Sequence, residues 1–276
     1  FVSAPYRLDV CRRKVRQSGY TNRRRLLRTA LSNNLDGDPE RVFVIPFPRI
    51  SVRPLEDLDL TNLGNWQRFD TLCRSIVAAL MTSRSVRRTS RCIAVFTRDG
   101  DSKRLGEALA ESITGQLSRS SKHTLVEVDG REVQMMYAQE GWVAATLHKA
   151  LQRHFDPKLG AAWADSARTR GWHIDHVASL RALLEDLLGD QRARAFVLDE
   201  RAENDIEDEL DACRQAGVSR LVFILGDHIG FSEKVRALLQ QELQVQPVRL
   251  GKTPMLTSHC ISTTCYLVDR TWAIGR

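Results

Sequence analysis

Residues 221–270 read LVFILGDHIGFSEKVRALLQQELQVQPVRLGKTPMLTSHCISTTCYLVDR, and the succession of patterns in this stretch decides the fold. An unbroken apolar run ends at a Gly-x-x-x-Gly turn (Gly226, Gly230), as expected of a strand buried on both faces. A charged amphipathic helix follows, then a short strand, a loop over 251–258 and an apolar closing helix. Upstream, 195–198 reads as a strand, 205–216 as a helix capped by Gly217, and 220–225 as the strand just described. Strand and helix thus alternate three times in the last third, which predicts a parallel sheet with crossover helices. The fold class is α/β.

Farther toward the N-terminus, 176–188 has helical spacing and ends at Gly189. A long helix over 140–155 is stopped by Asp156-Pro157. Residues 124–128 form a strand closed by the Asp129-Gly130 turn, and 92–97 another. A helix over about 66–81 repeats apolar Phe69, Leu72, Cys73, Ile76, Val77 and Leu80 at three-to-four spacing. RVFVIPFP at 41–48 reads as a strand whose prolines suit an edge or a strand end. Residues 98–121 are polar, with one helical stretch at 104–117, and 102–121 read as an insertion. LDGDPE at 35–40 has linker composition, so the chain divides into an N-terminal arm, 1–40, and a folded domain, 41–276.

The 276 residues carry a formal charge of +7, made of 34 arginines and 7 lysines against 34 acids. Arginine pairs phosphates bidentately and stacks on bases, which suits RNA; GC-rich coding sequence produces the same bias. Nine basic residues and one acid, Asp9, fall within 1–35. Such a segment is a basic arm that grips nucleic acid, the remnant of a mitochondrial targeting segment, or both; Phe at position 1 fits a processed or incomplete chain. No apolar run approaches the roughly 18–20 residues that span a bilayer. The six cysteines are scattered through apolar segments without a CxxC pair, so buried thiols are expected, with no disulfide framework and no metal site.

Two blocks carry a resemblance to a known family. One is 63–88, where Arg68-Phe69-Asp70 and Arg74 stand at the spacing of an R-x-D-x-x-x-R helix and Val86-Arg87-Arg88 follows as a turn. The other is LGDHIG followed by Ser258-His259-Cys260-Ile261. Together, in this order, they resemble the SPOUT RNA methyltransferases, and within them the archaeal type that methylates N1 of a tRNA pseudouridine. The resemblance covers about 41–270. It implies a trefoil knot in the C-terminal half and S-adenosylmethionine bound among three loops, 198–202, 225–230 and 250–261. It places Leu198, Leu225, Gly226, Gly230, Leu250, His259, Cys260 and Ile261 at the cofactor. Asp70 becomes the group that accepts or orients the N1 proton, with Arg68 and Arg74 beside it; Arg74 at i+4 shares its helical face, and Arg68 at i−2 does not.

The RNA footprint expected from charge clustering is Arg84, Arg87 and Arg88 with Arg12, Arg13, Arg23, Arg24 and Arg25. The closing helix, over 259–267, is apolar on more faces than one core requires, which suits a homodimer or a docked partner. Three departures from the family pattern stand out: Thr89 where an acid is expected, Ala202 where a glycine is expected, and Arg170-Gly171-Trp172 in place of a Pro-Gly turn. Two functions fit: a methyltransferase acting on a uridine or pseudouridine in structured tRNA or rRNA, or a non-enzymatic RNA-binding factor working with ribosome-assembly proteins in an organelle.

Overall fold

The apolar strand read at 41–48 is the centre of the sheet. β1 (Glu40–Phe47) is buried along its whole length and is flanked by β2 (Ser90–Phe96) on one side and β6 (Arg220–Ile224) on the other, both parallel to it. The computed structural model describes residues 37–47, 60, 62–64, 68–96, 123–156, 167–177, 179–226, 230–231 and 233–273. The arm, with Arg12, Arg13, Arg23, Arg24 and Arg25, and the insertion read at 102–121 lie outside the described residues.

The sheet has seven strands in the order β4-β3-β2-β1-β6-β5-β7, with β3 (His123–Asp129), β4 (Trp172–Val177), β5 (Ala193–Leu198) and β7 (Gln246–Val248) completing it. Pairing is parallel from β2 through β7 and antiparallel at β2–β3 and β3–β4. The three-fold alternation in the last third is present as β5, α4 (Ile206–Gln215), β6, α5 (Glu233–Leu243), β7 and α6 (Thr257–Ala273).

Side chains two apart share a face of a strand, and the core divides accordingly. Phe43, Ile45, Phe47, Phe196 and Phe223 face one layer, with α1 (Phe69–Leu80), α2 (Glu140–Phe155), α4 and α6. Val42, Val44, Val197, Val222 and Ile224 face the other, with α3 (Leu180–Leu187) and α5. A row of stacked rings, Phe43–Phe223 at 5.5 Å and Phe196–Phe223 at 5.9 Å, joins three parallel strands on the first face. Cys73, Cys92, Cys213 and Cys265 are buried free thiols and Cys260 is half-buried. Burial pushes the thiol of Cys265 up to about 11 and that of Cys92 up to about 12, which keeps both unreactive. Among the described residues no helix is long and apolar enough to cross a membrane.

β1 is central, so of the two placements that suit its prolines the strand end holds: Pro46 is the last residue but one, beyond Val44, where pairing with β6 stops. Two expectations are corrected. Residues 172–177 are a strand paired to β3, and the helix starts only at Leu180. Val177 packs with Leu180, Leu184 and Leu187, so the spacing imitates a longer helix. Its true start is set by Ser179, whose hydroxyl accepts the Ala182 N–H at 3.0 Å. Glu40, read as the last linker residue, is the first residue of β1 and is 6% exposed.

That glutamate anchors an ion-pair network at the amino-terminal edge of the sheet. Arg220 donates through Nε to Glu40 at 2.5 Å and through Nη1 to the Leu187 carbonyl at 2.9 Å. Arg91 reaches both Glu127, at 2.6 Å, and Glu40, at 3.3 Å. Arg131 chelates Asp129 and approaches Glu40 at 3.5 Å. Burial by itself would raise the Glu40 pKa, but the charges of Arg91, Arg220 and Arg131 outweigh it and hold the carboxyl below its ordinary range.

Candidate active site

All five parallel strands point their carboxyl ends to one edge of the sheet, and the loops after β5, β6 and β7 meet there. In open α/β sheets this edge is where ligands bind. The three loops enclose a cleft of about 110 Å³ lined by Leu198, Asp199, Glu200, Leu225, Gly226, Gly230, Leu250, Gly251, Thr253, Pro254, Met255, Thr257 and Cys260. Six of the eight residues expected at the cofactor are therefore together: Leu198, Leu225, Gly226, Gly230, Leu250 and Cys260. His259 is exposed and Ile261 is fully buried in the core, and neither side chain lines the cleft. On the first turn of α6, residues 257, 260 and 261 share a face, and its depth divides them: Thr257 and Cys260 reach the cleft while Ile261 fills the core beneath.

Asp199, Glu200, Thr253, Pro254, Met255 and Thr257 were not singled out from the sequence, although all fall within the three loops that the resemblance implies. The residues suit a nucleoside-based cofactor. Leu198, Leu225, Leu250 and Met255 offer apolar walls to a flat base, three glycines leave backbone bare, and two carboxylates suit hydroxyl and ammonium groups. Asp199 is fixed from behind, accepting from Arg236 at 2.7 Å and from the Arg201 N–H at 3.0 Å.

Gly226 lines the cleft, and a Cβ placed there would lie 2.6 Å from the Gly230 Cα, so the loop closing on itself also requires a glycine at this position. Its carbonyl accepts a hydrogen bond from the Thr257 hydroxyl at 2.9 Å, tying the loop after β6 to the start of α6. Gly226→Ala is therefore expected to open this loop and weaken S-adenosylmethionine binding by about tenfold or more. Calorimetric titration measures the loss, and an unchanged dissociation constant would detach the loop from the ligand.

Asp70 stands in the first turn of α1, whose far end leads into the start of β2, so this turn lies toward the same edge of the sheet as the cleft. Its carboxylate accepts from Arg68 twice, at 3.0 and 3.2 Å, and from Arg74. Arg68 reaches Asp70 without sharing its helical face: it is the N-cap, in the left-handed region (φ 65°, ψ 39°), and turns its guanidinium back onto the helix start. That conformation costs about 1–2 kcal/mol for a residue with a Cβ, and strain of this kind gathers at functional sites. Burial would raise the Asp70 pKa, but the Arg68 hydrogen bonds and the charges of Arg74 and Arg68 win and hold it below the ordinary carboxylate range. Two guanidiniums on one carboxylate at a helix N-terminus leave net positive charge, which favours an anion forming beside them. Asp70 does not line the cleft itself.

The turn between α1 and β2 lies at the opposite, amino-terminal edge. Arg87 pairs with Asp269 at 2.6 Å, and Asp269 also binds the buried Arg41 at 2.7 Å. Arg88 donates to the carbonyls of Gly130 and Val133 at 2.9 and 2.6 Å. Arg84 is exposed. The sequence clustering of these three arginines with Asp70 is therefore not a spatial one, because α1 carries the chain from one edge of the sheet to the other. Two of the departures also fall at that edge. Thr89 gives its carbonyl to the Arg41 N–H at 2.8 Å. Gly171 has φ +82°, and a Cβ there would meet the Val133 nitrogen at 2.6 Å. The third, Ala202, has no positive φ and needs no glycine.

Residues 51–273 match the model of a family described as "Putative SAM-dependent RNA methyltransferase". The chain is 27% identical over 215 residues to the tRNA (pseudouridine(54)-N(1))-methyltransferase of Methanococcoides burtonii, covering 78% of this chain and 89% of that one. It is 24% identical over 217 residues to the enzyme of the same name from Methanocaldococcus jannaschii, covering 78% and 90%. The match spans both α1 with its arginine-clasped aspartate and the three-loop cleft, and the chain belongs to this family of S-adenosylmethionine-dependent RNA methyltransferases.

Proposed function

We propose that this protein transfers a methyl group to N1 of a pseudouridine in a structured, tRNA-like RNA. The observation that carries the reading is Asp70, clasped by Arg68 and Arg74, at the same sheet edge as the cleft. Both relatives are named for this reaction. The chemistry narrows the target further, since uridine has its N1 bonded to ribose and only pseudouridine offers an N1–H.

When bound, S-adenosylmethionine supplies an electrophilic methyl on a sulfonium centre. The residues of the chain do the rest. The three loops hold the donor, with Asp199 kept in place by Arg236. Asp70 accepts the N1–H as a hydrogen bond and orients the ring. With its pKa held low it is a weak final acceptor, so the proton is released onward to solvent. Arg68 and Arg74 stabilise the negative charge that builds on the base as N1 becomes nucleophilic. The reading carries with it the knotted path of the resembling family through 198–261. It also carries self-association through exposed apolar side chains at and before α6, where Met255, Leu256 and Tyr266 are 39%, 52% and 62% exposed. The other apolar residues of 259–267 do not serve that purpose: Ile261, Cys265 and Leu267 are buried in the protein's own core.

The test is incubation with methyl-labelled S-adenosylmethionine and a tRNA stem-loop carrying one pseudouridine, followed by nuclease digestion and mass spectrometry. N1-methylpseudouridine is expected, and none from the same loop carrying uridine. Label appearing equally in both loops, or in neither, would overturn the assignment.

A further inference from the structure

Tyr137 is 54% exposed, beside the exposed Met135, on a segment anchored in the core at two positions. Val133 and Met136 on the same stretch are buried at 0% and 8%, and the Val133 carbonyl accepts from Arg88 at 2.6 Å. The ring of Tyr137 stands edge-on to Trp142, with centroids 5.4 Å apart and planes at 76°. The Arg168 guanidinium lies over the Trp142 ring at 5.0 Å and donates through Nε to the Thr146 hydroxyl at 2.9 Å. An aromatic ring held this firmly yet left in water is placed for contact, because burying it would otherwise be favourable.

Its position connects it to the acceptor site. Glu140, three residues on and the first residue of α2, approaches Arg74 at 3.9 Å, and Arg74 binds Asp70. The aromatic pair therefore lies at the same end of α2 as Glu140, whose partner Arg74 binds Asp70. Unpaired bases are recognised by stacking on exposed aromatic faces, with arginine meeting the adjoining phosphate.

We propose that Tyr137, braced by Trp142 and Arg168, is a stacking platform for an unpaired nucleotide next to the target in the substrate RNA, and that Arg168 contacts its phosphate. The inference rests on the RNA-methyltransferase reading and adds to it a positioning surface outside the cofactor cleft.

The test measures fluorescence anisotropy of the full-length protein with a labelled RNA hairpin containing a seven-nucleotide single-stranded loop, and with a blunt RNA duplex of equal length. Tyr137→Ala is expected to weaken hairpin binding by about 5- to 150-fold, as loss of one stacked base does, and to leave duplex binding and S-adenosylmethionine affinity unchanged. Tyr137→Trp should restore hairpin binding. Arg168→Gln should reduce the salt dependence of hairpin binding by about 0.7 in log–log slope. If the wild type binds the hairpin and Tyr137→Ala binds it equally well, or loses duplex binding to the same degree, the platform is overturned and the RNA reading stands. A wild type that binds neither RNA overturns both.

Discussion

Asp70→Asn is expected to reduce methyl transfer by about 10²–10⁴-fold, the range for removing a group that handles the reacting proton, with S-adenosylmethionine affinity unchanged. The asparagine is nearly isosteric, but it carries no charge and cannot satisfy two guanidiniums. Arg68 and Arg74 are 43% and 34% exposed, so losing their counterion costs little folding energy and the effect falls on the reaction. The pH dependence has a definite sign. The Asp70 pKa is held below the ordinary carboxylate range, with burial opposing and the two arginines prevailing, so this group is ionised across the neutral range. Single-turnover rates between pH 5 and 8 should therefore show no acid limb from Asp70. A wild-type rate in Asp70→Asn would reduce the residue to a helix N-terminal ion pair.

Glu40→Gln should be the most destabilising single polar substitution in the sheet, at about 3–5 kcal/mol, because it strips buried guanidiniums of their shared carboxylate. Arg91 and Arg220 are 4% and 8% exposed at their side chains and cannot turn to water instead. The folded-state pKa of Glu40 is depressed, so its stabilisation is complete above the unfolded value of about 4.3. It is lost as pH falls through the lower folded value. Urea unfolding at pH 7 should show a lower midpoint at an unchanged slope in the variant, and the gap from wild type should narrow below pH 4. An unchanged midpoint at pH 7 would mean that the network is neutral overall.

β1, β2 and β6 were legible because they are buried on both faces and read as apolar runs, with Pro48 and Gly226 close after the ends of β1 and β6. The mixed half was harder. Trp172–Val177 is an edge strand of polar and apolar residues whose last valine joins the apolar spacing of the next helix. The network around Glu40 left no trace in the sequence, because its members come from β1, β2, β3, the turn after β3, and β6, and meet only in the folded sheet. At the site, the three loops were located by resemblance, and side-chain direction decided the rest. Ile261 turned inward and His259 outward, which depends on how α6 sits on the sheet. The Arg68–Asp70 clasp could not be read from helical spacing, since it exists only because Arg68 takes a left-handed conformation just outside the helix. Arg87 and Arg88 were grouped with Asp70 by proximity in sequence, but twelve helical residues separate the two edges of a sheet.

The claim that one cleft, built from the loops after β5, β6 and β7, holds the methyl donor is tested most directly by amide hydrogen exchange with and without S-adenosylmethionine. The account predicts slowed exchange confined to 198–202, 225–230 and 250–261, together with the first turn of α6, and no change around Glu40 or Tyr137. Protection elsewhere with these three segments unaffected, or no protection at saturating cofactor, would contradict it.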